Sequence, residues 1–439
     1  MHPYIPSTPE DRKAMLETVG VRNIEALFSD IPEAVRYEKP LALDPGMSEQ
    51  EIGAYFDARA EENDAAKPCF LGGGAYDHLI PSVVGHMTVI SEFYTSYTPY
   101  QPEISQGTLQ MLFEYQTMIV DLPGMDVANA SMYDGGTALM EAAMLATTVG
   151  KKKKIVVSEG VFSSSREILK TYAHARGIEI VEIPLKDGIT DLEAADALYT
   201  DDAAGLIVQS PNRLGFLEDI AAFEPIAHRN KKASLIVSAD PWTLGTLKRP
   251  GDVGADIYVG EGQSLGLGMN FGGPYLGILA VKEPYLRKMP GRLVGETVDM
   301  DGKRAFVLTL SAREQHIRRE KATSNICSNE GLMTLAASVY LALIGKNLRK
   351  ANLMAIAKAH RLYEAILAIP GFEKVSDADF FSEFAVRTKG AKELQAKLYD
   401  AGFHAGLYAG DDMVTFAVTE ARTDEEIDAL IEAIGGVLA

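Results

Sequence analysis

Between residues 154 and 281 the chain alternates short β-branched runs with stretches of helical period, and no other feature limits the fold so tightly. The runs lie at 155–157, 178–183, 206–208, 235–237, 257–259 and 276–281, and most are separated by segments such as 166–175 and 223–230. Apolar strands that alternate with helices read as a mostly parallel sheet covered on both faces, an α/β architecture. In such sheets ligands sit beyond the carboxyl ends of the strands. The loops Gln209-Ser210-Pro211-Asn212 and Ala239-Asp240-Pro241 are therefore the first candidates for a site.

The flanks read differently. Pro9-Glu10-Asp11 opens an amphipathic run with Met15, Leu16 and Val19 on one face, closed by Gly20. Ser48-Glu49-Gln50-Glu51 has the form of a capping box ahead of a helix through Ala60. These segments are too thin to hold a core and are expected to clasp the next unit or a partner. Beyond the sheet, Met300-Asp301-Gly302-Lys303 is a tight turn joining 296–300 to 304–310 in a hairpin. A helical stretch over 329–367, interrupted near Gly345, leads to a strand–helix–strand–helix tail with helices at 392–398 and 423–434. The expected organisation is a helical segment (1–75), a large α/β domain (76–328) and connecting helices with a small α+β domain (329–439).

Charge narrows the partners. With 42 basic and 61 acidic residues the net charge is −19, which argues against nucleic acid and anionic membrane surfaces. The one dense basic run, Lys151-Lys152-Lys153-Lys154, leads straight into an apolar strand and reads as a solvated corner. Cys69 and Cys327 sit in no CxxC or metal spacing, and the eight histidines form no HxxxH or HExxH pair, so no metal site is expected. No stretch reaches the about 18 uninterrupted apolar residues of a membrane helix. The N-terminus lacks a charged-then-apolar leader, and the expected location is cytoplasmic.

Four segments carry unusual chemistry. Tyr94-Thr95-Ser96-Tyr97-Thr98-Pro99-Tyr100-Gln101-Pro102-Glu103 gathers three tyrosines around two prolines, which prevent both helix and central strand. Such a loop suits a pocket wall or a subunit contact, and equally an ordinary surface turn. Asp134-Gly135-Gly136-Thr137 precedes a helix at 138–148, so its N–H groups form either an anion cradle or a simple cap. Asp240, at a strand's carboxyl end, could hold a protonated pyridine nitrogen or merely start a turn before Pro241. From Arg313 to Asn325 five basic residues, His316 included, precede Thr323-Ser324-Asn325. That strip suits an anionic group, or is a helix with surface ion pairs.

A pyridoxal phosphate reading demands a lysine amine one or two strands after Asp240. The loop Gly260-Glu261-Gly262-Gln263-Ser264-Leu265-Gly266 has none. Gln263 holds the expected position, and an amide nitrogen cannot form an aldimine. Lys248, the nearest alternative, lies in the turn Lys248-Arg249-Pro250-Gly251, which reads as solvent-facing.

The strings SYTPYQPEISQGTLQMLFEYQTMIVDLPGMDVANAS (96–131) and REQHIRREKATSNICSN (313–329) resemble signatures of the glycine cleavage P-protein family, and the resemblance runs over essentially all 439 residues. Length and the missing lysine match the alpha subunit, subunit 1, of that family's split form. The resemblance implies pyridoxal-phosphate fold type I, like aspartate aminotransferase. It implies an α2β2 heterotetramer with subunit 2, which holds the cofactor covalently. The activity implied is decarboxylation of glycine with transfer of the aminomethyl group to the lipoyl group of H-protein. On this reading Tyr97, Thr98 and Tyr100, with Thr323, Ser324 and Asn325 near the phosphate, act in trans on the partner's site, and His316 and Arg318 stand behind them. Gly135, Gly136, Thr137, Asp240 and Gln263 then belong to a degenerate pocket with no covalent cofactor of its own. In isolation a homodimer is expected. Two other readings stay open: a stand-alone aminotransferase-like enzyme using Lys248 or another lysine, and a purely structural partner of subunit 2.

Overall fold

The computed structural model describes residues 4, 6–37, 39–63, 67–270 and 272–438. They fall into two compact units, 1–65 and 66–439. In the first, the helices Pro9–Val19 and Glu49–Glu61 each begin with a capping box, from Thr8 with Asp11 and from Ser48 with Glu51. Gly20 ends the earlier helix with φ 81°, a conformation open to glycine at no steric cost. Neither helix buries a single residue, as their thin apolar faces imply.

The second unit is built on a seven-stranded sheet. Its strands are β1 (Val127–Ala128), β2 (Lys154–Ser158), β3 (Glu179–Ile183), β4 (Ala203–Gln209), β5 (Ser234–Ser238), β6 (Ile257–Glu261) and β7 (Gly277–Val281). Their order across the sheet is β1-β7-β6-β5-β4-β2-β3. The block from β3 to β6 is parallel. β7 runs antiparallel to β6, and β1 antiparallel to β7. The glycine-rich connection between β6 and β7 has no crossover helix to return the chain in the parallel sense.

Strand alternation divides the interior into two cores. Val156, Leu206, Val208, Leu235 and Val237 face one side, packing with Tyr115 and Ile119 of the helix Gln106–Asp121 and with Ala336, Ala337 and Tyr340 of the helix Gly331–Ile344. Ile155, Val157, Ile207 and Ile236 face the other, under Leu139, Ala142 and Ala143 of the helix Gly135–Gly150. The helix expected at 223–230 lies at Ile220–Ala227 and ends two residues after Pro225, which removes a ladder N–H.

The hairpin pairs Leu293–Val298 with Arg304–Thr309. Its first arm starts three residues earlier than the turn suggested, because Leu293 and Val294 are buried. Helices Gly331–Ile344 and Leu348–Leu367 are split near Gly345. Although Thr334, Ser338 and Lys346 break any uninterrupted apolar run, the stretch Gly331–Leu367 is long and, on average, apolar enough to cross a membrane. The stretch owes this to its place in the core, where Leu335, Ala336, Tyr340, Leu348 and Ala355 are buried. In the tail each expected strand becomes a pair. Phe372–Lys374, Glu383–Thr388, Met413–Ala417 and Leu407–Gly410 form an antiparallel sheet backed by Ala391–Asp400 and Asp424–Leu438. A third core of Phe384, Phe416, Leu394, Ile427 and Leu430 fills it and takes in Phe70.

Candidate functional site

A cavity of about 540 Å³ opens beyond the carboxyl ends of β4, β5 and β6. Four elements converge on it: the residues after β5, the residues after β6, the amino end of the helix Gly135–Gly150, and the segment from Gly72 to His78.

Asp240, the second residue after β5, uses Oδ1 to accept the Trp242 N–H at 2.9 Å and the Ser264 hydroxyl at 2.5 Å. Burial pushes its carboxyl up, while His78 and the Ser264 bond pull the other way. The His78 ring lies 4.4 Å from that of Trp242, and its Nδ1 is 2.9 Å from Glu420 Oε2. Burial alone would push Glu420 up, but its bond to His78 and the Leu79 N–H hold it below the ordinary range.

Gln263 is 1% exposed and fully bonded. Its Oε1 accepts the Tyr76 N–H at 2.8 Å, and its Nε2 donates to Tyr76 O at 3.0 Å and Leu267 O at 2.8 Å. The side chain at the expected lysine position thus clamps the backbone N–H and C=O of Tyr76 to the carbonyl of Leu267.

Glu261 closes the end of β6. Its Oε2 accepts Gly135 N–H at 2.9 Å, and its Oε1 accepts Leu276 N–H at 3.0 Å and Gln263 N–H at 3.1 Å. Burial pushes its carboxyl up to about 7, against these N–H groups, which favour the ionised form. Glu383 reaches in from the antiparallel sheet of the tail, accepting the Tyr76 hydroxyl at 2.8 Å and Gly73 N–H at 2.9 Å. Burial pushes it, too, to about 7. With Asp134 and Glu330, five carboxylates line the cavity among the described residues, and no Lys or Arg does.

The structure gathers Gly135, Gly136, Asp240 and Gln263 around this cavity. Thr137 is instead taken up in the capping box of its helix: its N–H donates to Asp134 Oδ1 at 2.7 Å and its hydroxyl oxygen accepts the Asp134 N–H at 3.1 Å. Lys248 is exposed and does not line the cavity. The tyrosine loop lies elsewhere, on a smaller cavity of about 180 Å³ where Tyr97 and Thr98 meet Ser328 and Asn329. Tyr97 is 86% exposed. Tyr100 is fixed by Arg292, whose Nη2 donates to its hydroxyl at 2.9 Å and whose Nη1 donates to Asn329 Oδ1 at 3.2 Å.

Thr323, Ser324 and Asn325 line neither cavity. Ser324 accepts Ile326 N–H at 3.1 Å and bonds the buried Glu141, whose carboxyl burial pushes up to about 7. Arg313 is spent on structure, with its guanidinium bonded to the carbonyls of Met289, Gly291 and Leu310. His316 pairs with Glu314 at 3.6 Å, and Arg318 donates to Ala312 O at 3.1 Å.

The sequence reading missed Tyr76, His78, Glu261, Trp242 and Glu383. Glu261 stood inside a loop already singled out, two residues before Gln263. The Gly72-Gly73-Gly74 run before Tyr76 was the other available signal.

The sequence profile described as "Glycine cleavage system P-protein" matches residues 2–434. A "Probable glycine dehydrogenase (decarboxylating) subunit 1" of Moorella thermoacetica is 49% identical over 444 residues, covering 99% of this chain and all of its own length (100%). A solved glycine decarboxylase (P-protein) of the glycine cleavage system, in inhibitor-bound form, superposes with TM-score 0.90 at 42% identity over 99% of each chain. A cysteine desulfurase from Escherichia coli shares only 18% identity, yet matches with TM-score 0.62 over 88% of this chain and 98% of its own. The fold is therefore type I of the pyridoxal-phosphate enzymes.

That fold implies pyridoxal phosphate, and the residues present can be tested against it. Asp240 suits the ring nitrogen. The rest of the cavity does not suit the group: Gln263, at the position expected for the lysine, offers an amide, none of the described lining residues is a Lys or Arg to meet a phosphate, and the Gly135 N–H is already taken by Glu261. The residues of this chain do not fit the cofactor. With the profile match and the full-length relative together, the chain belongs to the glycine cleavage system P-protein family.

Proposed function

We propose that this chain is the lysine-less half of a two-chain P-protein, working with subunit 2 to decarboxylate glycine and pass the aminomethyl group to the lipoyl arm of H-protein. One observation supports the reading: where the sequence leads one to expect the lysine, Gln263 is buried and bonded on both ends of its amide to backbone. Pyridoxal phosphate, an electron sink for carbanionic chemistry, belongs on the lysine-bearing subunit 2.

What this chain supplies is reach. Tyr97 projects from a proline-stiffened loop with its ring in solvent, while Thr98 is half-buried and Tyr100 is steadied by Arg292. Held at the mouth of the partner's site, the phenol and hydroxyl groups of Tyr97, Thr98 and Tyr100 would orient a small polar substrate and exclude water. Thr323, Ser324 and Asn325 would offer hydroxyl and amide donors to a phosphate, with the His316 ring and the Arg318 guanidinium alongside. The assembly is an α2β2 heterotetramer, and alone the chain forms a homodimer.

Glycine–CO2 exchange with H-protein tests this. Neither subunit alone is active, and both together are. Tyr97→Ala or Thr323→Ala lowers exchange by about tenfold or more while the complex keeps its size on a sizing column. Full exchange with an intact complex would reduce the chain to a structural partner.

A further inference from the structure

The pocket of this chain lacks more than a lysine. Three facts about Glu261 go together. Its carboxylate accepts the N–H of Gly135, the first residue of the helix Gly135–Gly150, at 2.9 Å, in the place where such a helix would hold an anion. The same carboxylate accepts two further N–H groups, of Leu276 at 3.0 Å and Gln263 at 3.1 Å, so it is held on both oxygens. The two glycines of the cradle face side chains and backbone, not open space. A Cβ on Gly135 would meet Glu261 Cβ and N at 3.0 Å, and one on Gly136 would meet Ile168 Cδ1 at 2.7 Å.

We propose that Glu261 is an internal anion that occupies the phosphate seat, so that the pocket excludes pyridoxal phosphate by occupancy and not only through the absence of a lysine. A phosphate entering the cavity finds its cradle filled and meets Asp134, Asp240, Glu330 and Glu383 with no lining Lys or Arg to balance them. To bind there it must take the Gly135 N–H from Glu261 Oε2 and bring its own charge against a carboxylate that Leu276 and Gln263 still hold by Oε1. In place of a ligand, the carboxylate ties β6 to the helix Gly135–Gly150 and to Leu276, just ahead of β7. The pocket therefore keeps its shape without cofactor.

The inference concerns this chain by itself, so its outcome does not depend on subunit 2. Trp242, the one tryptophan of the chain, lines the cavity and reports on its contents. The full chain and its variants are titrated with pyridoxal 5′-phosphate at pH 8 and followed by Trp242 fluorescence. Borohydride reduction and peptide mapping then locate any label. The unaltered chain shows no saturable quenching, and Gln263→Lys alone takes no label at position 263. Combining Gln263→Lys with Glu261→Ala gives saturable quenching and label at 263, with affinity raised about tenfold or more over the single variant. Labelling at 263 in the single variant overturns the proposal, as does a folded double variant that binds no better. If Glu261→Ala does not fold, Glu261→Gln, which keeps the size and removes the charge, takes its place. Inorganic phosphate must then raise the melting temperature of Glu261→Gln but not that of the unaltered chain, and equal shifts overturn the proposal.

Discussion

Glu383 is 4% exposed, and it shares its two oxygens between the Tyr76 hydroxyl and the Gly73 N–H. With Glu141 and Glu261 it makes three carboxyls that burial pushes up to about 7. Each is near 4.5 in the unfolded chain, so between these values the folded state keeps protons that the unfolded state has released. Stability is then highest below the lower value, falls as pH rises toward 7, and levels off above it. A shift of this size is worth about 3 kcal/mol per group. Urea unfolding from pH 5 to pH 8 should show the fall, and Glu383→Gln should reduce it by about 3 kcal/mol. An identical slope in the variant would remove Glu383 from the account. The residue scale is also where the sequence says least. Glu261 reads as an ordinary acid at a strand end, because its partner Gly135 lies 126 positions away and only folding brings them together.

Elements were easier to read when their own chemistry set them. The β-branched runs became the core strands because burial on both faces rewards continuous apolar sequence. Capping boxes at Thr8 and Ser48 marked helix starts through hydrogen bonds made within four residues. The 16-residue helix Gln106–Asp121 escaped notice, since its buried Leu109, Met111, Leu112, Tyr115 and Ile119 are set among β-branched and aromatic residues that suit strands as well. The antiparallel sense of β7 was equally hidden, being a property of its connection and not of its residues. Joints between elements are the other blind spot. At Gly215, φ is 87° and an added Cβ would lie 2.0 Å from Glu383 O, where the loop after β4 passes the strand Glu383–Thr388 of the tail sheet. Gly215→Ala should cost about 3 kcal/mol or more. Thermal unfolding measures it, and a loss under about 1 kcal/mol would mean that the joint yields.

For the whole molecule, the uneven spread of buried side chains matters most. Among the described residues none before Phe70 is buried, so every core lies within residues 66–439. A chain lacking residues 1–65 should therefore keep its cooperative unfolding transition, with a melting temperature within about 4 °C of the full chain. The same deletion should weaken association with subunit 2, which sizing of mixtures would detect. A collapse of the transition would instead make the first unit part of the folding core. The sheet itself separates two cores, one under the Gln106–Asp121 and Gly331–Ile344 helices and one under Gly135–Gly150. Substitutions on opposite faces share no contacts, and their effects on stability add. In evolutionary terms, a duplicated enzyme of this build can lose its reactive amine and let its pocket drift while each core is maintained on its own account.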